Sequence, residues 1–141
     1  MRDPTKEREI LEIAARFETV ARTHSATAAA ALDRYGVSGA TSGLIWALGT
    51  AETNLSMSQL ADRLFCDPSN VTLLAEQLER LGLAERIPDP HDRRRRILKL
   101  TDEGHAAWSA TQVAVVQASP LSTLDESTLA ALREALFAHG T

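Results

Sequence analysis

The sequence predicts a mainly α-helical domain with a small β-hairpin wing: a winged helix-turn-helix between N- and C-terminal dimerisation helices. Three observations carry this prediction. Two short segments with strong helix-start signals meet at a tight turn between Ser56 and Gly82. Two strand-like runs follow, divided by a turn rich in Pro and Arg. Long amphipathic segments flank that unit on both sides. The 141 residues, 44% hydrophobic and 24% charged, fit one globular domain. Aromatic content of only 4% favours helices packed through small side chains over an aromatic-rich sandwich.

The first helix is expected from about Lys6 to Tyr35. Ile10, Ile13, Phe17, Val20, His24, Ala31 and Tyr35 recur at helical spacing, with most charges off that stripe. At about 1.5 Å per residue such a helix outruns what a small domain can cover, so part of its stripe needs another surface. Gly36 to Gly39 stop it. Ser38 is a candidate N-cap for a second helix carrying Leu44, Ile45, Ala47 and Leu48. Ser56-Met57-Ser58-Gln59 has the capping-box pattern and opens a helix with Leu60, Ala61 and Leu64. After the Phe65-Cys66 turn, Asp67-Pro68 supplies an N-cap and a first-turn proline. The helix to about Leu81 is expected to bury Val71, Leu74, Leu78 and Leu81, with Gly82 ending it.

Leu83–Ile87 and Arg96–Leu100 read as strands of a hairpin. Thr101 is a candidate N-cap for a helix carrying Ala106, Ala107, Trp108, Ala110, Val113 and Val116, which Pro120 breaks. The last helix starts at Asp125, with Leu124 and Leu129 placed as a hydrophobic staple. Residues 37–100 thus form the winged unit, and residues 1–36 and 101–141 the helices expected to build a homodimer interface.

Two segments carry chemistry. Residues 91–99 hold five cations and one anion, a local charge of +4 in a chain of net charge -4. Arg93, Arg94, Arg95 and Arg96 cannot pack together in a core. As an extended tip they alternate sides, Arg93 and Arg95 against Arg94 and Arg96. Such a tip suits double-stranded DNA, its phosphates and its narrow minor groove. A solvated charged loop is the alternative, and the preceding helix-turn-helix favours DNA. On the second helix of that motif, Ser69, Asn70, Thr72, Leu73 and Gln77 are expected to look outward. Short polar groups at a helix start can reach base edges, and Leu73 can meet a thymine methyl. Ordinary helix-start chemistry is the alternative there.

These residues resemble the MarR (multiple antibiotic resistance regulator) family. Leu55 to Leu64 is similar to the first helix of the family motif, and Asp67 to Thr72 with Leu78 to Leu83 to its recognition helix. Asp92-Arg93-Arg94, then Leu98-Lys99-Leu100-Thr101 and Gly104, matches the family's wing signature. The resemblance is specific from about Leu55 to Gly104. It implies a homodimeric regulator, usually a repressor, that binds a pseudo-palindromic operator and is often released by a small aromatic effector or by thiol oxidation. It further implies that Arg94 enters the minor groove and that Asp92 supports it through an ion pair. Many members carry a polar or basic residue where this chain has Leu73.

Other candidates are weaker. Phe17, His24, Trp46 and Trp108 are candidates for an effector pocket, with core packing as the alternative. Cys66 reads as a small buried hydrophobe, with a redox-responsive role as the alternative. His24, His91, His105 and His139 show no metal-ligand spacing; His105 with Asp102 and Glu103 reads as a solvated helix start rather than a metal site. No phosphate-binding Gly-rich loop, Gly-x-Ser-x-Gly or Cys/His nucleophile pattern points to an enzyme, and no cofactor is expected. One Cys excludes an intrachain disulfide. A charged start and no apolar run long enough for a membrane span set a cytoplasmic expectation. The competing reading is a winged-helix protein-interaction module without specific DNA binding.

Overall fold

The computed structural model describes residues 2–138. The chain runs α1 (Pro4–Asp33), α2 (Ala40–Gly49), β1 (Leu55–Ser56), α3 (Met57–Leu64), α4 (Pro68–Arg80), β2 (Ala84–Pro88), β3 (Arg96–Leu100), α5 (Asp102–Ala118), a 3-10 turn (Pro120–Thr123) and α6 (Glu126–Phe137). The mainly helical order with a small antiparallel wing is the one the sequence predicts.

Helix α1 begins two residues earlier than its apolar stripe suggests. Asp3 accepts from the amides of Thr5 and Lys6, and Pro4 occupies the first turn. Its end is set by Gly36, whose φ of 78° lets the chain reverse: the Gly36 amide donates to Asp33 and that of Val37 to Leu32. Ser38 is not the cap of α2. Gly39 holds that position without a side-chain bond, and Ser38 contributes its carbonyl to the Thr41 amide instead.

The capping box at α3 is complete. Ser56 Oγ accepts from the Gln59 amide at 3.2 Å and Gln59 Oε1 from the Ser56 amide at 2.8 Å. Asp67 precedes α4 with extended backbone but makes no side-chain cap bond. Helix α4 ends in a Schellman motif: Gly82, at φ 72°, donates to Glu79, and Leu83 donates to Leu78. Leu81 is not buried. It follows the last helical turn as the C-cap, and its side chain lies against Gly36. Leu83 is used in the same motif, so β2 starts one residue later than expected.

The sheet has three strands in the order β1-β3-β2, all antiparallel. Two residues of β1 pair with β3, Leu55 opposite Leu98 and Ser56 opposite Ile97. The sequence offers no alternation there to announce a strand. Thr101 joins sheet to helix: its hydroxyl donates to the Gly82 carbonyl and accepts from the Gly104 amide. Gly104 then sits on the Leu83 carbonyl so tightly that a Cβ there would collide with it.

Leu32, Leu44, Ile45, Leu60, Val71, Leu78 and Leu98 form the fully buried centre, where α1, α2, α3, α4 and the sheet meet. Each Leu buried there contributes about 1.5–3 kcal/mol relative to exposure. On α5 the expected Ala107 and Trp108 are buried, joined by Thr111 and Val115, while Val113 and Val116 face out. Thr111 tolerates burial because its hydroxyl donates to the Ala107 carbonyl. Helix α1 packs along α5, yet Ile10, Ile13 and Phe17 on its N-terminal half stay exposed, and α6 buries no residue. Asp125 caps α6 through the Thr128 amide at 2.7 Å, which holds its carboxyl below the usual range. Leu129 remains exposed in the single chain. No helix among the described residues is long and apolar enough to cross a membrane.

Candidate nucleic-acid interface

Helix α4 turns Val71, Ala75 and Leu78 inward, which leaves Ser69, Asn70, Leu73 and Gln77 exposed. Leu73 is 57% exposed, a large apolar side chain held out beside polar neighbours. Thr72 departs from the expected outward placement: it is half-buried, and its hydroxyl donates to the Pro68 carbonyl. Gln77 is exposed but not wholly free, because Oε1 accepts from the buried Thr41 hydroxyl at 2.6 Å.

The turn into α4 is strained. Phe65 has φ 51° and ψ 43°, the only non-glycine positive φ among the described residues, and its side chain is 96% exposed. It takes the position where a helix end usually places glycine, with the amides of Phe65 and Cys66 donating to Asp62 and Ala61. Cys66 is half-buried.

The wing is an ordered turn rather than an extended tip. The Arg95 amide donates to the Asp92 carbonyl at 2.9 Å, so Arg93 and Arg94 occupy the corner of a reverse turn. The strand-like alternation predicted for Arg93–Arg96 therefore does not apply before β3 begins at Arg96. Asp92 also accepts the Arg94 amide on Oδ1 at 3.1 Å. That bond to the backbone replaces the expected Asp92–Arg94 ion pair, which does not form. Asp89 closes the base of the turn by donating to Arg95 O and accepting from the His91 amide. All four arginines are exposed, and none forms an ion pair among the described residues.

A fixed strut ties α4 to the wing. Glu79 accepts from Arg86 three times: from its amide at 3.0 Å, Nε at 3.1 Å and Nη2 at 2.9 Å. These bonds lower the Glu79 pKa, the side-chain bond most, against an opposing desolvation effect. Sequence reasoning missed this pair because the residues lie seven apart in different elements, with no local spacing rule to connect them.

A separate cleft of about 350 Å³ lies between α1, α2 and α3, lined in part by His24, Trp46, Gly43 and Leu64. His24 Nε2 bonds Ser119 Oγ at 2.8 Å across to the end of α5. Trp108 is buried behind the cleft, edge-on to Trp46 at 5.3 Å and against Gly49. Phe17 is exposed further along α1 and does not line it. So the fold brings His24 and Trp46 together at the cleft, with Trp108 supporting from behind and Phe17 apart. No cluster of three His, Cys, Asp or Glu among the described residues is placed to hold a metal, and His139 lies outside them.

Comparison with known proteins places this geometry. Residues 35–95 match the model of the MarR family. Over 51 residues the chain is 45% identical to the HTH-type transcriptional repressor MdtR of Bacillus subtilis (strain 168), a stretch covering 36% of this chain and 33% of MdtR. The match thus spans about a third of that relative's length. Among solved structures, CouR of Rhodococcus jostii RHA1, bound to p-coumaroyl-CoA, superposes with a TM-score of 0.72 at 22% identity, covering 92% of this chain and 93% of CouR. The YusO protein of Bacillus subtilis gives 0.55 at 26% identity over 99% of this chain and 100% of its own. Sco3205 of Streptomyces coelicolor, solved in complex with DNA, gives 0.64 at 24% identity over 96% and 87%. Across the helix-turn-helix and most of the wing, residues 35–95, the chain is similar to the MarR family, and it shares a winged-helix fold with solved MarR-family structures along the rest.

Proposed function

We propose that this protein is a sequence-specific DNA-binding transcriptional regulator, a homodimeric repressor that a small aromatic effector releases from a pseudo-palindromic operator. One observation carries the reading: an ordered turn presents Arg93–Arg95 unpaired next to a helix whose outward row is Ser69, Asn70, Leu73 and Gln77. The family supports it, since its members are regulators rather than enzymes, and Sco3205 was solved on DNA. In this reading α4 enters the major groove and Arg94 the adjacent minor groove, whose negative potential attracts a guanidinium. The Glu79–Arg86 strut keeps the two at a fixed separation.

The dimer rests on the exposed apolar face of Ile10, Ile13 and Phe17 and on an α6 with nothing buried. Pairing of these ends in two copies covers both and sets the recognition helices about 34–36 Å apart, one turn of DNA. The cleft at His24 and Trp46 suits an aromatic effector: Trp46 offers a ring face and His24 the one ionisable group of its lining. An effector there wedges between α1 and α2 and alters the half-site spacing, so only one half binds and the avidity of the linked pair is lost. The test is selection of bound duplexes from a random pool, with solution mass measured in parallel. A dimer that enriches inverted repeats supports the reading. A monomer, or a pool that never converges, contradicts it.

A further inference from the structure

Beside the recognition helix lies a recess that shares only Gln77 with the outward row described above. It is lined by Gly36, Ser38, Thr41, Gln77, Arg80 and Leu81, where the start of α2 meets the last turns of α4. Each of its unpaired polar side chains can donate. Arg80 is exposed and has no carboxylate partner among the described residues. The neighbouring acid Glu79 is consumed by Arg86. Gln77 has Oε1 taken by Thr41, which fixes the amide plane and leaves Nε2 with no partner among the described residues. Ser38 adds an exposed hydroxyl, released from the capping role its sequence position suggests. No carboxylate lines the recess. A cationic concavity with unpaired donors and no carboxylate fits an oxyanion.

Its position says which oxyanion. Arg80 lies seven residues, two helical turns, beyond Leu73 and eleven residues, three turns, beyond Ser69, so the three share one row on α4. Ser69 to Arg80 spans roughly 16 Å along the axis. The major groove is about 12 Å wide. A helix with Ser69 against the base edges therefore carries Arg80 past the groove to the phosphate wall.

We propose that Ser38, Gln77 and Arg80 form a clamp for one backbone phosphate of bound DNA, with Thr41 positioning Gln77. The proposal rests on the DNA reading above. Its chemistry is non-covalent: Arg80 neutralises one phosphate charge, and Ser38 and Gln77 Nε2 donate hydrogen bonds to its oxygens. The clamp therefore adds affinity without sequence information and fixes how far α4 tilts in the groove.

The experiment is fluorescence anisotropy of the full chain on two labelled duplexes, one selected from a random pool and one scrambled, across a salt series. The proteins are wild type, Arg80→Ala, Gln77→Glu and Arg94→Ala. Arg80→Ala is expected to lower the slope of log K against log salt by about one unit and to weaken both duplexes alike. Gln77→Glu keeps the acceptor for Thr41 and so the melting temperature, yet sets a negative charge against the phosphate and weakens binding about tenfold or more. A purely structural Gln77 would leave affinity untouched when the melting temperature is unchanged. If Arg94→Ala weakens binding while Arg80→Ala and Gln77→Glu keep wild-type slope and affinity, the clamp is overturned and the DNA reading stands. If wild type binds neither duplex, both fall together.

Discussion

Glu79 and Arg86 form a bidentate ion pair, Nη2 to Oε2 at 2.9 Å and Nε to Oε1 at 3.1 Å, and the Arg86 amide donates to the same carboxylate. The pair is partly sheltered rather than buried, with the Glu79 and Arg86 side chains 28% and 31% exposed. It joins the C-terminal half of α4 to the first strand of the wing. In a regulator that grips DNA with both elements, it sets the distance between them.

Its pH dependence has a definite sign. The folded-state pKa of Glu79 lies below its ordinary value, chiefly through the Arg86 side chain. Its stabilisation is therefore fully present above the ordinary carboxylate range and is lost as pH falls through the folded value. Glu79→Gln is expected to cost about 1–2 kcal/mol at neutral pH. Melting of wild type and Glu79→Gln from neutral to acid pH checks this. The gap between them should narrow only below the ordinary Glu range; a constant gap would show that the charge contributes nothing.

Asp92 holds Arg94 through its backbone amide, not through the guanidinium. Asp92→Asn keeps the Oδ1 acceptor and should bind DNA nearly as wild type does. Asp92→Ala loses the acceptor, loosens the turn and should weaken specific binding by about 1 kcal/mol. Affinity measurements on the two variants decide between the bonds, because an ion pair would make Asn as damaging as Ala.

Gly104 admits no side chain. A Cβ would collide with the Leu83 carbonyl, a backbone atom that cannot turn aside. Gly104→Ala is expected to destabilise by about 3 kcal/mol, against the usual gain from placing Ala in a helix. Urea unfolding of the variant measures it, and a neutral or stabilised variant would contradict the close approach.

Phe65 makes the opposite prediction. It holds a left-handed conformation that suits glycine, with its ring in solvent. Phe65→Gly should stabilise the fold by about 1 kcal/mol. Denaturant unfolding reads this directly; a less stable variant would mean that the ring makes contacts the single chain does not show.

Much of the fold was legible because its signals are local. The capping box of Ser56 and Gln59, the Asp67-Pro68 start, the Gly82 stop and the Thr101 cap each lie within a few residues of what they specify. What escaped depends on distant partners. Strand β1 exists because Leu55 and Ser56 find β3 some forty residues later. The apolar residues of α5 do not show which of them face in: Val113 and Val116 point to solvent, while Thr111, its hydroxyl satisfied within the helix, takes a core position. The wing arginines announced their charge but not their geometry, since the turn rests on the Asp92 and Arg95 backbone rather than on side-chain spacing. The Ser38–Gln77–Arg80 recess joins two helices and has no signature in either.

The proposed regulator reads DNA with the wing and α4 together. The most direct measurement is anisotropy with the DNA immediately upstream of this protein's own gene, titrating wild type and Arg94→Ala against scrambled competitor. Wild type is expected to bind tightly and resist competitor, and Arg94→Ala to weaken binding by about 1–3 kcal/mol with loss of some sequence preference. Weak binding, equal on both DNAs and indifferent to Arg94, would contradict it.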